Sequence, residues 1–205
     1  MIDALCHIFV FVPTGQIPDC GLTESFRRAH PGQGTANACF CFDNAYLEVL
    51  WVEDWNDVRS PPIAATRLAE RADWRQGGAS PFGIALRTDL PFPAWPYRPP
   101  YLPPGMAIPV ATDSEDPRQP FLFRSPGSTR PDQWTDGRAG NRQAPAGLSE
   151  IVNLRLTMPD TPGPALMALA ERGLLSVHRG AHRLDITLSG NGGDRVLSLP
   201  DFRWG

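Results

Sequence analysis

A chain of 205 residues with 41% hydrophobic and 20% charged residues has ordinary globular composition, enough for one sizeable core or for several small repeated units sharing one. All 19 basic residues are arginine, which excludes Schiff-base and lysine general-base chemistry. A net charge of −3, with no arginine stripe interleaved with aromatics, argues against nucleic acid, and no stretch approaches the ~20 apolar residues of a membrane span.

The first element, "ALCHIFVFV" (4–12), is β-branched and aromatic and ends at a Pro-Thr-Gly turn, so it reads as a strand. It has no basic region before it, carries Asp3 and is interrupted by His7, which makes it a poor signal peptide; the expected location is the cytoplasm. Alternation places Leu5, His7, Phe9 and Phe11 on one face. A turn or short helix is expected near 17–22 and a brief strand near 24–29. The four cysteines, Cys6, Cys20, Cys39 and Cys41, all fall in the first fifth of the chain and read as free thiols; Cys39 and Cys41 with His7 form only a weak metal-site pattern.

Next comes "HPGQGTAN" (30–37), in which Pro31 and Gly32 suit the middle of a type II turn and Gly34 permits a positive φ or a close backbone approach. The strands "TANACFCFD" and "AYLEVLWVED" follow, joined by an Asp-Asn turn. In the second, Tyr46, Glu48, Leu50 and Val52 share a face, so Glu48 is a mid-strand carboxylate that needs a partner. The turn sets the register of this pair, and a slip of one residue would point Glu48 to the other side. His30, Gln33 and Asn37 either line a cavity mouth or satisfy turn backbone groups.

Residues 61–74 predict one helix, 81–89 a strand, and 90–105 an ordered, proline-rich loop whose aromatic residues give it something to pack. Short strands are expected in "MAIPVAT" and "PFLFRS", then a long surface loop over 126–145. The tail reads strand, helix, strand, strand, strand, or βαβββ. His178 and His182 flank its Arg-Gly turn and read as exposed turn residues, with Asp185 the sole neighbour able to extend a zinc site. Residues 1–54 admit the same βαβββ pattern and 81–125 a degraded copy, with 148–205 as the C-terminal module of a single 205-residue domain.

The βαβββ unit, a histidine on its first strand and "YLEVLWV" as its last resemble the vicinal oxygen chelate superfamily, and "HPGQGTANACFCFDNAYLEVLWVED" resembles its glyoxalase-like branch. The resemblance implies an α+β fold of repeated βαβββ modules, a curved mixed sheet around a cavity. It also implies a divalent metal (Zn, Mn, Fe, Ni or Mg), with His7 and Glu48 matching the first-strand and last-strand ligands. The second half-site departs from the pattern: Gly83 or Phe82 stands where a histidine is expected, and Phe123 or Arg124 where a glutamate is.

Two uses of His7 and Glu48 stay open, as metal ligands or as a metal-free pair in which Glu48 accepts from protonated His7. In the metal-free case Glu48 serves as a base beside a carbonyl, with Arg124 or Arg87 stabilising the enolate, and Tyr46 shares its face. The function implied is a lyase- or isomerase-type glyoxalase-like enzyme acting on a small carbonyl or hydroxy-carbonyl metabolite. The competing class is a non-catalytic small-molecule-binding or resistance protein of the same fold. Homodimers are usual in the superfamily, although an internal repeat can complete the cavity within one chain.

Overall fold

Strands rich in β-branched and aromatic residues and free of interior proline suit the middle of a sheet, while proline-bearing ones suit its edge. In a computed structural model that describes residues 2–13 and 15–205, eight strands form the first sheet and follow this rule except at Pro109, one strand in from the edge. They are β1 (Leu5–Phe11), β2 (Phe26–His30), β3 (Thr35–Cys41), β4 (Tyr46–Val52), β5 (Phe82–Leu86), β6 (Ala94–Tyr97), β7 (Ile108–Ala111) and β8 (Phe121–Arg124). Their spatial order is β2-β3-β4-β1-β5-β8-β7-β6, and Pro96 lies in β6, at the edge. The proline-rich segment therefore includes a short edge strand within the predicted loop.

The order is symmetric about its centre. β1 runs parallel to β4 and β5 parallel to β8, while β1 and β5 pair antiparallel with Ile8 opposite Ile84. Since Phe9 lies opposite Glu48 and Ala85 opposite Phe123, a two-fold through the Ile8/Ile84 pair relates His7 to Gly83 and Glu48 to Phe123. Each half contributes four strands, and among the described residues no α-helix follows the first strand of either half, where the βαβββ pattern of 1–54 and 81–125 places one. Pro13, Gly15, Pro18 and Gly21 break up the first connection, and the second, 87–93, is short and carries Pro91 and Pro93.

The helices sit between the halves: α1 (Trp55–Val58), α2 (Pro61–Ala64), α3 (Leu68–Ala72) and α4 (Trp74–Gly77). The single helix predicted over 61–74 is broken at Arg67, whose left-handed φ of 57° starts α3 on a new axis. Arg71 of α3 is fully buried without a carboxylate partner among the described residues. Its guanidinium donates to Ser114 O at 2.8 Å, Pro117 O at 3.0 Å and Gln119 O, tying the helices to the loop before β8.

The C-terminal segment has the predicted element order, β9 (Leu148–Met158), α5 (Pro164–Glu171), β10 (Ser176–Arg179), β11 (Arg183–Gly190) and β12 (Arg195–Leu199), plus β13 (Arg203–Trp204). Its strands pair as β10-β9-β11-β12-β13, with β9 and β10 parallel across α5. That order differs from either half of the first sheet, so it is a separate sheet and not a third copy. Leu154, Leu156, Ile186, Leu188 and Leu197 bury one of its faces in a core shared with Ile8, Val10, Leu47, Val49 and Ile84 from the first sheet. Asn44 joins the two sheets, donating to Ile151 O at 2.7 Å and accepting from Ile151 N at 2.9 Å. Among the described residues no helix is long and apolar enough to cross a membrane.

The opposite face of the first sheet carries Phe9, Phe11, Cys39, Cys41, Tyr46, Leu50 and Phe123. A register shift between Leu5 and His7 in the β1/β5 pairing puts Cys6 on this face and Leu5 on the other, against simple alternation. A Cβ on Gly83 would stand 2.1 Å from Phe9 Cε1. Gly83→Ala should therefore cost about 1–3 kcal/mol by overpacking. The loss, read as a fall in thermal midpoint, should shrink in the double variant Phe9→Leu/Gly83→Ala.

Candidate functional site

The site is assembled by a turn and two registers. Gly32 adopts φ +75°, and Gln33 N donates to His30 O at 3.0 Å, the arrangement of a type II turn with Pro31 and Gly32 at its centre. Gly34, at φ +76°, packs so closely that a Cβ would meet Asp54 O at 2.3 Å, and its carbonyl accepts from Glu53 N at 2.9 Å. The turn thus locks the start of β3 against the end of β4. In that register Cys39 faces Glu48, and the concave face presents Thr35, Asn37, Tyr46 and Glu48 beside His7.

Glu48 is buried, 7% exposed, and held from two sides. Asn37 Nδ2 donates to its Oε1, and His7 Nε2 lies 3.4 Å from its Oε2. From Asn37 the contacts continue outward: Asn37 Nδ2 is 3.4 Å from His30 Nε2, and His30 Nδ1 is 2.9 Å from Thr35 Oγ1. Gln33 Nε2 donates to Thr35 Oγ1 at 2.8 Å, and Tyr97 Oη donates to Gln33 Oε1 at 2.7 Å. One polar chain therefore runs from the proline-rich segment to the carboxyl. Aromatic rings support it: His7 stacks on Tyr46 at 4.4 Å and 12°, Phe123 meets His7 edge-on at 5.2 Å, and Tyr101 lies 4.8 Å from His30.

Burial governs the charge of this group. Desolvation pushes Glu48 up to about 7, opposed by the Asn37 hydrogen bond and the Arg28 charge. Desolvation also pushes His7 down to about 3 and His30 to about 4, helped in both by Arg28. Burial thus favours a neutral His7 beside a carboxyl that titrates near neutrality over the protonated His7 of an ion pair. The Nε2 of His7 faces the carboxyl, and its Nδ1 is buried with no hydrogen-bond partner among the described residues. Burial raises Cys39 and pushes Cys41 to about 11, so both remain thiols, as small buried side chains.

These residues line a cavity of about 580 Å³, within the range of small-molecule sites. Of the residues singled out in the sequence, His7, Glu48, His30, Gln33, Asn37 and Tyr46 are brought together on it. Arg87 and Arg124 are not. Arg87 donates to the carbonyls of Leu5 and Asn44, holding a sheet end together. Arg124 turns out to Asp89, 3.4 Å away, because it follows Phe123 on β8 and alternation sends it to the other side. His178 and His182 stand apart, near Ser176 and Gly78, and Asp185 pairs with Arg183.

Lining residues that sequence reasoning missed are Arg28, Cys6, Tyr97, Tyr101, Trp134 and Arg138. Arg28 was findable, since it precedes His30 by two on a strand and so shares its face. Trp134 and Arg138, from the 126–145 loop, had no such signal.

A divalent metal does not fit the residues present. Among the described residues no group of three or more His, Cys, Asp or Glu side chains converges to hold one. The two-fold partners of His7 and Glu48 are Gly83, covered by the Phe9 ring, and Phe123, so hydrocarbon fills the second half-site. Glu48 Oε1 is already bonded to Asn37 and is not a free ligand.

A family model described as a glyoxalase-like domain matches residues 7–92, the stretch from β1 through β5 that carries the His7–Glu48 pair. The architecture is mixed α+β, with two sheets and few helices. A crystal structure of a hypothetical protein from Staphylococcus aureus is similar at 13% identity and a TM-score of 0.47, covering 89% of this chain and 80% of that one. No protein of curated function matches the chain.

The charge state of Glu48 has a measurable effect on stability. Its carboxyl keeps a proton in the folded chain at pH values where the unfolded chain, titrating near 4.5, has lost it. The folded state thus binds more protons in that window, and this group's contribution to stability falls as pH rises from about 4.5 to about 7. Glu48→Gln keeps the bond from Asn37 and removes the titration. Its thermal midpoint relative to the parent chain should rise between pH 5 and pH 8, a gain on the order of 3 kcal/mol.

Proposed function

We propose that this chain, glyoxalase-like over residues 7–92, is an acid–base catalyst that moves a proton next to the carbonyl of a small oxygenated compound without a metal. The observation that carries the reading is Glu48: a carboxyl on the wall of a cavity, with a pKa of about 7 and both oxygens oriented by neighbours. A general base works best when its pKa lies near the working pH, and a desolvated carboxylate is a stronger base than an exposed one.

In this reading Glu48 takes the proton at one carboxylate oxygen. Asn37 holds Oε1 in place, and His7, neutral and clamped between Tyr46 and Phe123, orients Oε2. The negative charge left on the carbonyl oxygen is met by Arg28, whose field already reaches Glu48, and not by Arg87 or Arg124. The hydrocarbon walls of the second half-site keep water from the carbanion-like intermediate.

The competing reading is a binding protein of the same fold, acting on the same class of small molecule without turnover. It is favoured by the loss of polar groups at Gly83 and Phe123.

Deuterium uptake separates the two. The chain is incubated in D2O with pyruvate, phenylpyruvate and hydroxyacetone, and the α-protons are followed by proton NMR. The expected result is exchange above the buffer rate with at least one compound, unaffected by a chelator, rising with pH through about 7 as Glu48 deprotonates, and reduced about 10²-fold or more in Glu48→Gln. Exchange that survives this substitution, or no exchange with any of the three, overturns the catalytic reading.

A further inference from the structure

The cavity carries a second chemical signature at its mouth. Arg28, on the edge strand β2, and Arg138, from a turn at Gly137–Ala139, both line it. Arg138 is bound to Asp136, its Nε 2.7 Å from the carboxylate. Arg28 has no carboxylate partner among the described residues; its guanidinium rests 4.9 Å over the Phe26 ring. Its charge is nonetheless felt inside, since it lowers the proton affinity of His7, His30 and Glu48.

Part of the cavity wall is built of ring faces and edges. Phe26 meets Tyr46 at 6.0 Å, Trp134 meets Tyr46 at 5.8 Å, and Tyr46 lies flat on His7. Phe121 and Phe123 close the far side. An aromatic wall of this kind offers a flat, apolar body edge and face contacts. A guanidinium fork at one end matches a planar carboxylate in two parallel hydrogen bonds. A cationic ligand would meet Arg28 and Arg138 at the entrance.

Resting on the reading of this cavity as a small-molecule site, we propose that it takes a planar aromatic monocarboxylate, its carboxylate on Arg28 and its ring against the aromatic wall of Tyr46, Trp134 and Phe123. Arg28 is then the residue that selects ligands by charge, and the aromatic wall selects them by flatness. Affinity weakens with added salt, because the anchoring cation sits at the solvent boundary.

The test is calorimetric titration of the full chain with three probes of one shape, benzoate, benzamide and benzamidine, and with cyclohexanecarboxylate as the non-planar acid. Benzoate is expected to bind at least about 10-fold tighter than benzamide, benzamidine not to bind, and cyclohexanecarboxylate to bind more weakly than benzoate. Arg28→Gln should bring benzoate down to the level of benzamide with an unchanged thermal midpoint, and Glu48→Gln should bind benzoate at least as tightly as the parent chain. Equal binding of benzoate and benzamide, or benzoate binding that ignores Arg28→Gln, overturns the proposal. Failure here is distinguishable from failure of the catalytic reading: benzoate selectivity without deuterium exchange leaves a binding protein for planar acids, and exchange without that selectivity leaves a catalyst for another substrate class.

Discussion

The site depends on placing one carboxyl where little water reaches it. Glu48 points from the middle of a fully buried strand toward the cavity, and among the described residues its close polar partners are the Asn37 amide and the His7 ring. An ionised carboxylate left alone there would be costly, so the group holds its proton until about neutral pH. Much of the surrounding architecture can be understood as maintaining that situation. The His30–Gln33 turn fixes the register, the parallel pairing of β1 with β4 sets His7 beside the carboxyl, and a second sheet covers the back of the strand that carries it.

The two-fold arrangement of the sheet explains why the chemistry is one-sided. Both halves use the same strand order, but where one presents His7 and Glu48 the other presents Gly83 and Phe123. The Phe9 ring occupies the space over Gly83 that a side chain would need. One half of the cavity is therefore a polar chain reaching from Tyr97 to His7, and the other a hydrocarbon wall that lowers the local dielectric around it. The asymmetry favours a proton-transfer or binding site over a metal centre.

Much of this was legible in the residues. The period-two pattern of "YLEVLWV" put Glu48 and Tyr46 on one face, and the Pro-Gly step in "HPGQGTAN" announced the turn that holds the register. Alternation failed where the backbone departs from regular geometry, at the irregularity that turns Cys6 inward, and at Arg67, whose left-handed conformation splits a helix that composition alone would continue. Arg87 and Arg124 lie off the cavity for a different reason: an arginine can serve carbonyls or an exposed aspartate as readily as a substrate. Trp134 and Arg138 reach the cavity from a loop more than eighty residues after β4, and no local pattern encodes that return. The C-terminal sheet shows a related limit: element order was readable, but strand pairing was not, because hydrophobic alternation does not name its partner.

The most direct measurement is the titration of the Glu48 side-chain carboxyl carbon by NMR in 13C-glutamate-labelled protein, assigned by the resonance missing in Glu48→Gln. The account predicts a midpoint near 7, with the His7 ring neutral throughout the transition. A midpoint at the ordinary carboxylate value near 4.5, or a His7 ring that gains its proton as Glu48 loses one, would contradict it.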